Sequence, residues 1–411
     1  MKREELIPHL FRTEFRKITS VLCKLFGIEH IEIAEDLAGE TFLAAIETWP
    51  YKGVPENPTA WLYTVAKNKA KNHLTRNKTF VEKISKQLRS DTKETIELEI
   101  DLTEKNISDS QLQMLFALCH PSISVEAQIG LSLRILCGFG IDEIANAFLT
   151  NKETINKRLF RAKEKLREEK VAIMFPGEEE INTRLDTVLT TLYLLFNEGY
   201  YSESDDSVLR EELCLEAMRL TYLLIENEST NLPEVNALLS LFCFHSSRFE
   251  ARKKDNGEII LYEDQDETLW NKELIAKGMY YLKRSSHGNY IPRFHIDASI
   301  AYWHTQKEDS KEKWESILQL YNQLLQMEYS PIAALNRTYA LSKANGNDEA
   351  INEAEKLKLT GNQYYHSLLG ELYKDINKAK AIDHLEKAIS LSKSNTDRTI
   401  LSRRIAQLKH R

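Results

Sequence analysis

The chain has 411 residues, 42% of them apolar and 28% charged, which suits a soluble globular protein of two to four domains. No run of about 18 apolar residues occurs, so no membrane span is expected, and the opening MKREELIPHLFRTEF lacks the apolar core of a signal peptide. The net charge of −7 would exclude nucleic acid only if charge were evenly spread. It is not. Residues 60–80 hold five basic side chains (Lys67, Lys69, Lys71, Arg76, Lys78) and no acidic one, and residues 151–170 hold eight basic against four acidic. Such patches supply phosphate contacts on an otherwise acidic protein. The five cysteines form no CxxC pair and sit in apolar segments, which fits buried thiols in a reducing cytosol. No ligand pair has zinc spacing, and no nucleophile elbow, phosphate loop or HExxH occurs, so neither an enzyme nor a cofactor is expected.

Taken in order, the chain reads as all-α, without sustained period-two alternation. A first unit, residues 1–80, holds amphipathic helices over 4–26, 34–49 and 59–76, with a proline-punctuated loop at 50–58. On the third helix Leu62, Ala66, Ala70, His73 and Leu74 face inward, while Thr64, Lys67, Asn68, Lys71, Asn72 and Thr75 collect on the opposite sector. Residues 81–108 are polar and acidic and read as a linker. A second unit, 109–175, ends in GIDEIANAFLTNKETINKRLFRAKEKLREEK, two helices with a tight turn. Thr150 and Glu153 fit a capping box, and Ile155, Leu159, Ala162 and Leu166 form one inward stripe. A second helix with a polar, basic N-terminal half is what a helix-turn-helix presents to a DNA major groove. Residues 176–290 read as a further helical unit, with helices over 182–196, 206–225 and 232–250 and a turn at 253–257. In 291–411 the stretch Tyr365 to Tyr373, followed by Ala381, Leu385 and Ala388, approximates a tetratricopeptide repeat. A looser copy runs over 335–354 with Gly346 at its turn.

Read together, AEDLAGETFL at 34–43, AWLYTVAKNKA at 60–70 and the helix-turn-helix resemble a bacterial sigma factor of the extracytoplasmic-function type, in the sigma-70 family. Their order matches that family's region 2 and region 4, joined by a linker. Further on, Cys119-His120-Pro121, LFNEGY at 195–200 and EDQD at 263–266 with Trp270 look like the subgroup that carries a long helical, tetratricopeptide-like extension. Gly39 departs from the pattern, standing where the family usually has glutamine, and glycine costs about 1 kcal/mol inside a helix.

The resemblance implies a protein that catalyses nothing and binds no cofactor. Its implied partners are core RNA polymerase, through the clamp and flap, and promoter DNA, with no membrane and a cytoplasmic location. Glu35, Asp36, Glu40 and Phe42 are the candidates for polymerase docking, Phe42 also lining up with core positions. Trp61, Lys67, Asn68, Lys71, Asn72 and Arg76 are the candidates for the −10 element. Trp61 has two readings, a base-stacking surface or a core anchor. Lys152, Asn156, Lys157, Arg158 and Arg161 are the candidates for the −35 element, with Lys163 on phosphate as well. In the extension, Asn197, Glu198, Tyr200, Glu263, Asp264 and Asp266 are regulatory candidates, a latch or a pocket for a small ligand, peptide or protein. Their structural reading is a left-handed cap at Gly199 and an N-cap at Asp266. The extension is expected to control the core in cis. A helix-turn-helix regulator with a repeat-type sensing domain is the alternative.

Overall fold

A computed structural model describes residues 3–76, 100–148, 150–200, 211–252, 260, 262–287, 291–392 and 395–410. The described residues are helical or connecting, without a strand, so the fold is all-α. No described helix is long and apolar enough to cross a membrane. The turn expected at 253–257 and most of the 81–108 linker lie outside the described residues. The chain forms two compact units, Met1–Leu195 and Phe196–Arg411.

In the first unit, α1 (Arg3–Phe26) packs against α2 (Ile31–Lys52), α3 (Pro58–Arg76) and α4 (Glu104–Leu118). Ile18, Leu22, Phe26, Leu62, Ala66 and Ala70 are buried at that junction. The inward stripe of α3 falls where its 3.6-residue period places it. Helix α2 runs three residues past the expected 34–49, through Pro50. Pro50 lies in the last turn, so the helix loses one amide donor rather than breaking. Gly53, at φ 84°, then ends it, with its N–H on the Trp49 carbonyl at 3.0 Å. The loop expected from residue 50 is therefore confined to 53–57.

Helices α5 (Val125–Ile135), α6 (Ile141–Ala147) and α7 (Lys152–Glu168) complete the second basic module. Gly130 lets α7 approach α5, since a Cβ there would meet Leu159 Cδ2 at 2.9 Å. The cap of α7 differs from the expected Thr150 box. The Asn151 side chain accepts from the Thr154 N–H at 2.8 Å, because the Thr150 N–H is already turned back onto the Ala145 carbonyl at 2.9 Å. Ile155, Leu159, Ala162 and Leu166 are buried, as their spacing requires.

Helix α8 (Glu178–Tyr200) carries the boundary between the units at Leu195/Phe196, twenty residues beyond the 175/176 joint expected from sequence. Its first part belongs with the first unit: Thr191 Oγ1 meets Cys119 Sγ at 3.6 Å. Gly199 lies inside this helix, not at a left-handed cap.

The second unit is built round α10 (Pro233–Ser246), buried on nearly every side and packed by α9 (Glu211–Glu226), α11 (Lys272–Ser285) and α12 (Arg293–Trp303). A helix that is apolar all round belongs in a core. Helical hairpins follow through α13 (Lys311–Met327), α14 (Pro331–Asn345), α15 (Asn347–Leu357), α16 (Gln363–Tyr373), α17 (Lys378–Leu391) and α18 (Asn395–His410). Gly346 at φ 102° makes the turn between α14 and α15. Gly370 marks the crossing of α16 and α17: a Cβ there would lie 2.7 Å from Leu385 Cγ and 3.3 Å from the Ala381 carbonyl oxygen. Gly370→Ala is therefore expected to lower stability by about 1–3 kcal/mol through overpacking, read as a fall in the urea midpoint at unchanged slope. An unchanged or raised midpoint would show that the crossing is not close-packed.

Candidate nucleic-acid interface

The polar sector of α3 stands as its periodicity predicts. Asn68, Lys71, Asn72 and Arg76 are exposed and Lys67 is half-buried. None of these three cations forms an ion pair among the described residues. Trp61 is half-buried, its ring edge-on to Trp49 at 5.4 Å. That contact makes Trp61 an anchor between α2 and α3. Tyr63, from the same helix, donates to Glu14 of α1 at 2.6 Å; burial, first, and Glu14 push its phenol well above the usual range.

On α7, Lys152, Asn156, Lys157 and Arg161 are exposed. Lys152 pairs with Asp142 at the start of α6. The guanidinium of Arg158 lies 5.3 Å from the centre of the Phe148 ring. Lys157 and Arg161 carry no ion pair among the described residues, so their charge is available to a phosphate or a base edge.

Lys163 is placed differently from its expected role on phosphate. Only 14% of its side chain is exposed, and its ammonium lies 3.1 Å from Glu35 and 3.3 Å from Glu32 of α2. Glu35, 13% exposed, also accepts from Arg134 Nε of α5 at 3.0 Å. Arg167 reaches the Glu29 carbonyl at 3.1 Å and Glu32 at 3.7 Å. Burial pushes the Glu32 carboxyl up, but its own backbone hydrogen bond, then Lys163 and Arg167, outweigh it and hold the group below the usual range. A cleft of about 500 Å³ runs along this seam, lined by Glu32, Glu35, Arg134, Asn156, Phe160 and Lys163 among others.

The remaining candidates on α2 divide. Asp36 is exposed, and Glu40 pairs with Lys69 of α3 at 2.8 Å. Phe42 is buried, packed on Phe11 at 5.1 Å and Phe15 at 6.3 Å. The outward apolar residues of this helix are instead Leu43 and Ile46, each 52% exposed, in a shallow apolar groove with Ile7, Phe11 and Gly39. Their i, i+3 spacing on an outward face was the readable signal. A Cβ at Gly39 would meet nothing within 4 Å, so the glycine is not required by packing.

In the second unit the two singled-out motifs approach one residue, Arg248. Its Nη2 donates to the Tyr200 hydroxyl at 3.3 Å, and its guanidinium lies 5.4 Å from the Tyr262 ring centre. Asn197 and Glu198 are half-buried near the end of α8. Tyr262 is also flanked by the ammonium groups of Lys307 and Lys313, at 5.5 and 5.4 Å. Lys307 donates to the carbonyls of Tyr262, Glu263 and Gln265 at 2.9–3.2 Å. Lys313 donates to the Tyr262 hydroxyl at 3.1 Å and the Gln306 carbonyl at 2.5 Å. Asp266 caps a short turn, accepting from the Thr268 N–H at 2.9 Å; Glu263 accepts from Tyr339 at 3.3 Å; Asp264 is exposed. No group of three metal-ligating side chains occurs among the described residues.

Two histidines lie half-buried beside these cations, their rings largely out of water. Burial, then Arg248 and Lys313, push His304 down to about 3, and burial, Arg248 and Arg252 push His245 well below its usual value. Both are neutral in the folded state and take up protons on unfolding. Stability is therefore full above pH 6.5 and is lost as pH falls from there towards 3. His304→Phe is expected to flatten that loss in thermal melts between pH 7 and pH 4.5. An equal slope in the variant would remove His304 from the account.

Residues 10–80 match the family model of sigma-70 region 2, and residues 184–286 match a family of unknown function (DUF6596). An uncharacterized protein of Rhizobium meliloti (strain 1021) is 31% identical over 378 residues, spanning 88% of this chain and 87% of the relative. No solved structure matches.

Proposed function

We propose that this chain, whose residues 10–80 match sigma-70 region 2, is a sigma factor of the extracytoplasmic-function type that directs core RNA polymerase to its own class of promoter. Sigma-70 region 2 carries interaction with polymerase and promoter DNA in transcription initiation. In this reading α3 engages the −10 element through Lys67, Asn68, Lys71, Asn72 and Arg76. Cations track the phosphates of the opened strand. Helix α7 reads the −35 element through Asn156, Lys157 and Arg161, with Lys152 and Arg158 on phosphate. Polymerase docks on α2, where Asp36, Leu43 and Ile46 are exposed and Glu35 lies beside them. The protein works in the cytoplasm with polymerase and is not an enzyme.

The observation that carries this reading is the pairing of two helices, α3 and α7, each buried along one stripe, with Lys67, Lys71 and Arg76 of the one and Lys157 and Arg161 of the other outside any ion pair among the described residues. A repeat scaffold has no task for both. The extension after α8 is proposed to regulate this core in cis. That proposal is supported by the continuity of α8, which carries residues of both units.

The experiment is run-off transcription from fragmented genomic DNA with core polymerase and the full chain, mapping transcript starts. New starts sharing paired upstream elements are expected. Lys157→Ala with Arg161→Ala should reduce them about tenfold or more, since a specific base contact is worth ~1–3 kcal/mol. Starts that appear equally with the double variant would remove α7 from promoter recognition. Tight binding of the chain alone to duplex DNA, with no dependent starts, would favour a conventional repressor or activator.

A further inference from the structure

In the second unit cations and tyrosines alternate along one row. The guanidinium of Arg252 lies 3.9 Å from the centre of the Tyr200 ring. Arg248 donates to the Tyr200 hydroxyl and stands 5.4 Å from the centre of the Tyr262 ring. Lys307 and Lys313 approach that second ring at 5.5 and 5.4 Å. Arg248 and Lys313 are buried, whereas Arg252 and Lys307 are half-buried and bring the row to solvent. None of Arg248, Lys307 and Lys313 has a carboxylate in ion-pair contact among the described residues. The acids nearby are engaged elsewhere: Asp309 with Trp314 and Lys343, Asp266 with the Thr268 amide, Glu263 with Tyr339. Carbonyl and hydroxyl oxygens orient these cations but leave the net charge in place, and like charges repel more strongly out of water.

Unpartnered hydrogen-bonding atoms collect at the same place. Arg248 Nε, Trp270 Nε1, His245 Nδ1 and Gln265 Oε1 are buried, with no hydrogen-bond partner among the described residues. The Asn271 N–H, on the Ser247 carbonyl at 2.8 Å, sets Trp270 beside Arg248. The Trp270 ring stacks on Tyr262 at 6.3 Å, and the His245 ring meets Tyr200 at 4.6 Å. Gln265 gives its amide N–H to the Ile260 carbonyl at 3.3 Å, so its oxygen is the end left over. A buried polar group without a partner is destabilising, and native proteins hold few. Four of them around one surplus of positive charge call for a ligand. Arg248 and Trp270 can only donate, which demands an anion with acceptor oxygens. Gln265 Oε1 can only accept, which demands that the same ligand carry a proton.

We propose that Arg248, Trp270 and Gln265, within the field of Lys307 and Lys313, form a binding site for a tetrahedral oxyanion that keeps a proton at neutral pH, namely monohydrogen phosphate. Its oxygens take the Arg248 and Trp270 N–H groups, and its hydroxyl donates to Gln265 Oε1. Sulfate and dianionic phosphate monoesters carry the charge without the proton, since the last proton of an ester leaves at a pKa of about 6. The bound ion ties the ends of α8 and α10 to the 262–270 segment and so consolidates the extension. The site does not depend on the sigma-factor reading.

The test is isothermal titration calorimetry of the full chain with inorganic phosphate at about pH 7.5, at an ionic strength fixed with chloride, beside sulfate and glycerol 1-phosphate. Saturable binding of phosphate is expected, with a melting temperature that climbs with phosphate concentration. Sulfate and the ester should each bind about tenfold more weakly or worse, and Arg248→Gln should lower phosphate affinity by about tenfold or more. Gln265→Leu should bring phosphate down to the level of sulfate while sulfate binding stays as it was. Lys157→Ala with Arg161→Ala should bind phosphate like the unsubstituted chain, which separates this site from the basic helices of the first unit. No saturable phosphate binding overturns the site, as does loss of binding in the α7 variant. Sulfate or the ester binding as tightly as phosphate, or Gln265→Leu without effect on the preference, overturns the assignment of the proton and with it of phosphate. Those comparisons need only the unsubstituted chain and a substitution of similar size, so they decide even where Arg248→Gln fails to fold.

Discussion

A half-buried carboxylate is stabilised by cations, and Glu35 finds two, one on each oxygen. That pairing organises the first unit. Arg134, which holds one oxygen, spends its Nη1 on the Phe139 carbonyl at 3.1 Å and so fixes the turn that leads into α6. Lys163, which holds the other, sets the rotation of α7 about its axis. Once that rotation is fixed, Ile155, Leu159, Ala162 and Leu166 face α5 and α6, and Lys157 and Arg161 must face out. One acidic side chain thus couples the region 2 helices to the placement of the distal basic helix.

Much of this was legible in the sequence and the contacts of Glu35 were not, for a physical reason. A helix announces its buried stripe through a period of 3.6, so the inward residues of α3 and α7 follow from spacing alone. The Glu35–Lys163 contact spans 128 residues and the Glu35–Arg134 contact 99. No local period reports either. Lys163 read as one more basic residue in a basic helix because charge count says nothing about which flank a cation occupies. Phe42 is a related case. Its alignment with Ala38, Ala45 and Trp49 already marked the core side, and the outward pair Leu43 and Ile46 went unnamed because exposed apolar residues are common and carry meaning only as a contiguous patch.

Local chemistry misled in smaller ways. Thr150 and Glu153 satisfy the capping-box pattern, yet Asn151 caps α7, because the preceding turn had already engaged the Thr150 amide. Gly199 looked like a helix end, but it lies buried inside α8 and is not among the positive-φ glycines. In the second unit the sequence showed two separate polar motifs. The structure brings them within reach of Arg248 and Tyr262, where Lys307 and Lys313 are satisfied by carbonyl oxygens and a hydroxyl. Neutral acceptors hold these two ammonium groups in place, at the cost of fixing the chain that supplies them. The 262–265 backbone is held in this way, and that explains why a short acidic stretch with little apolar content has a defined course.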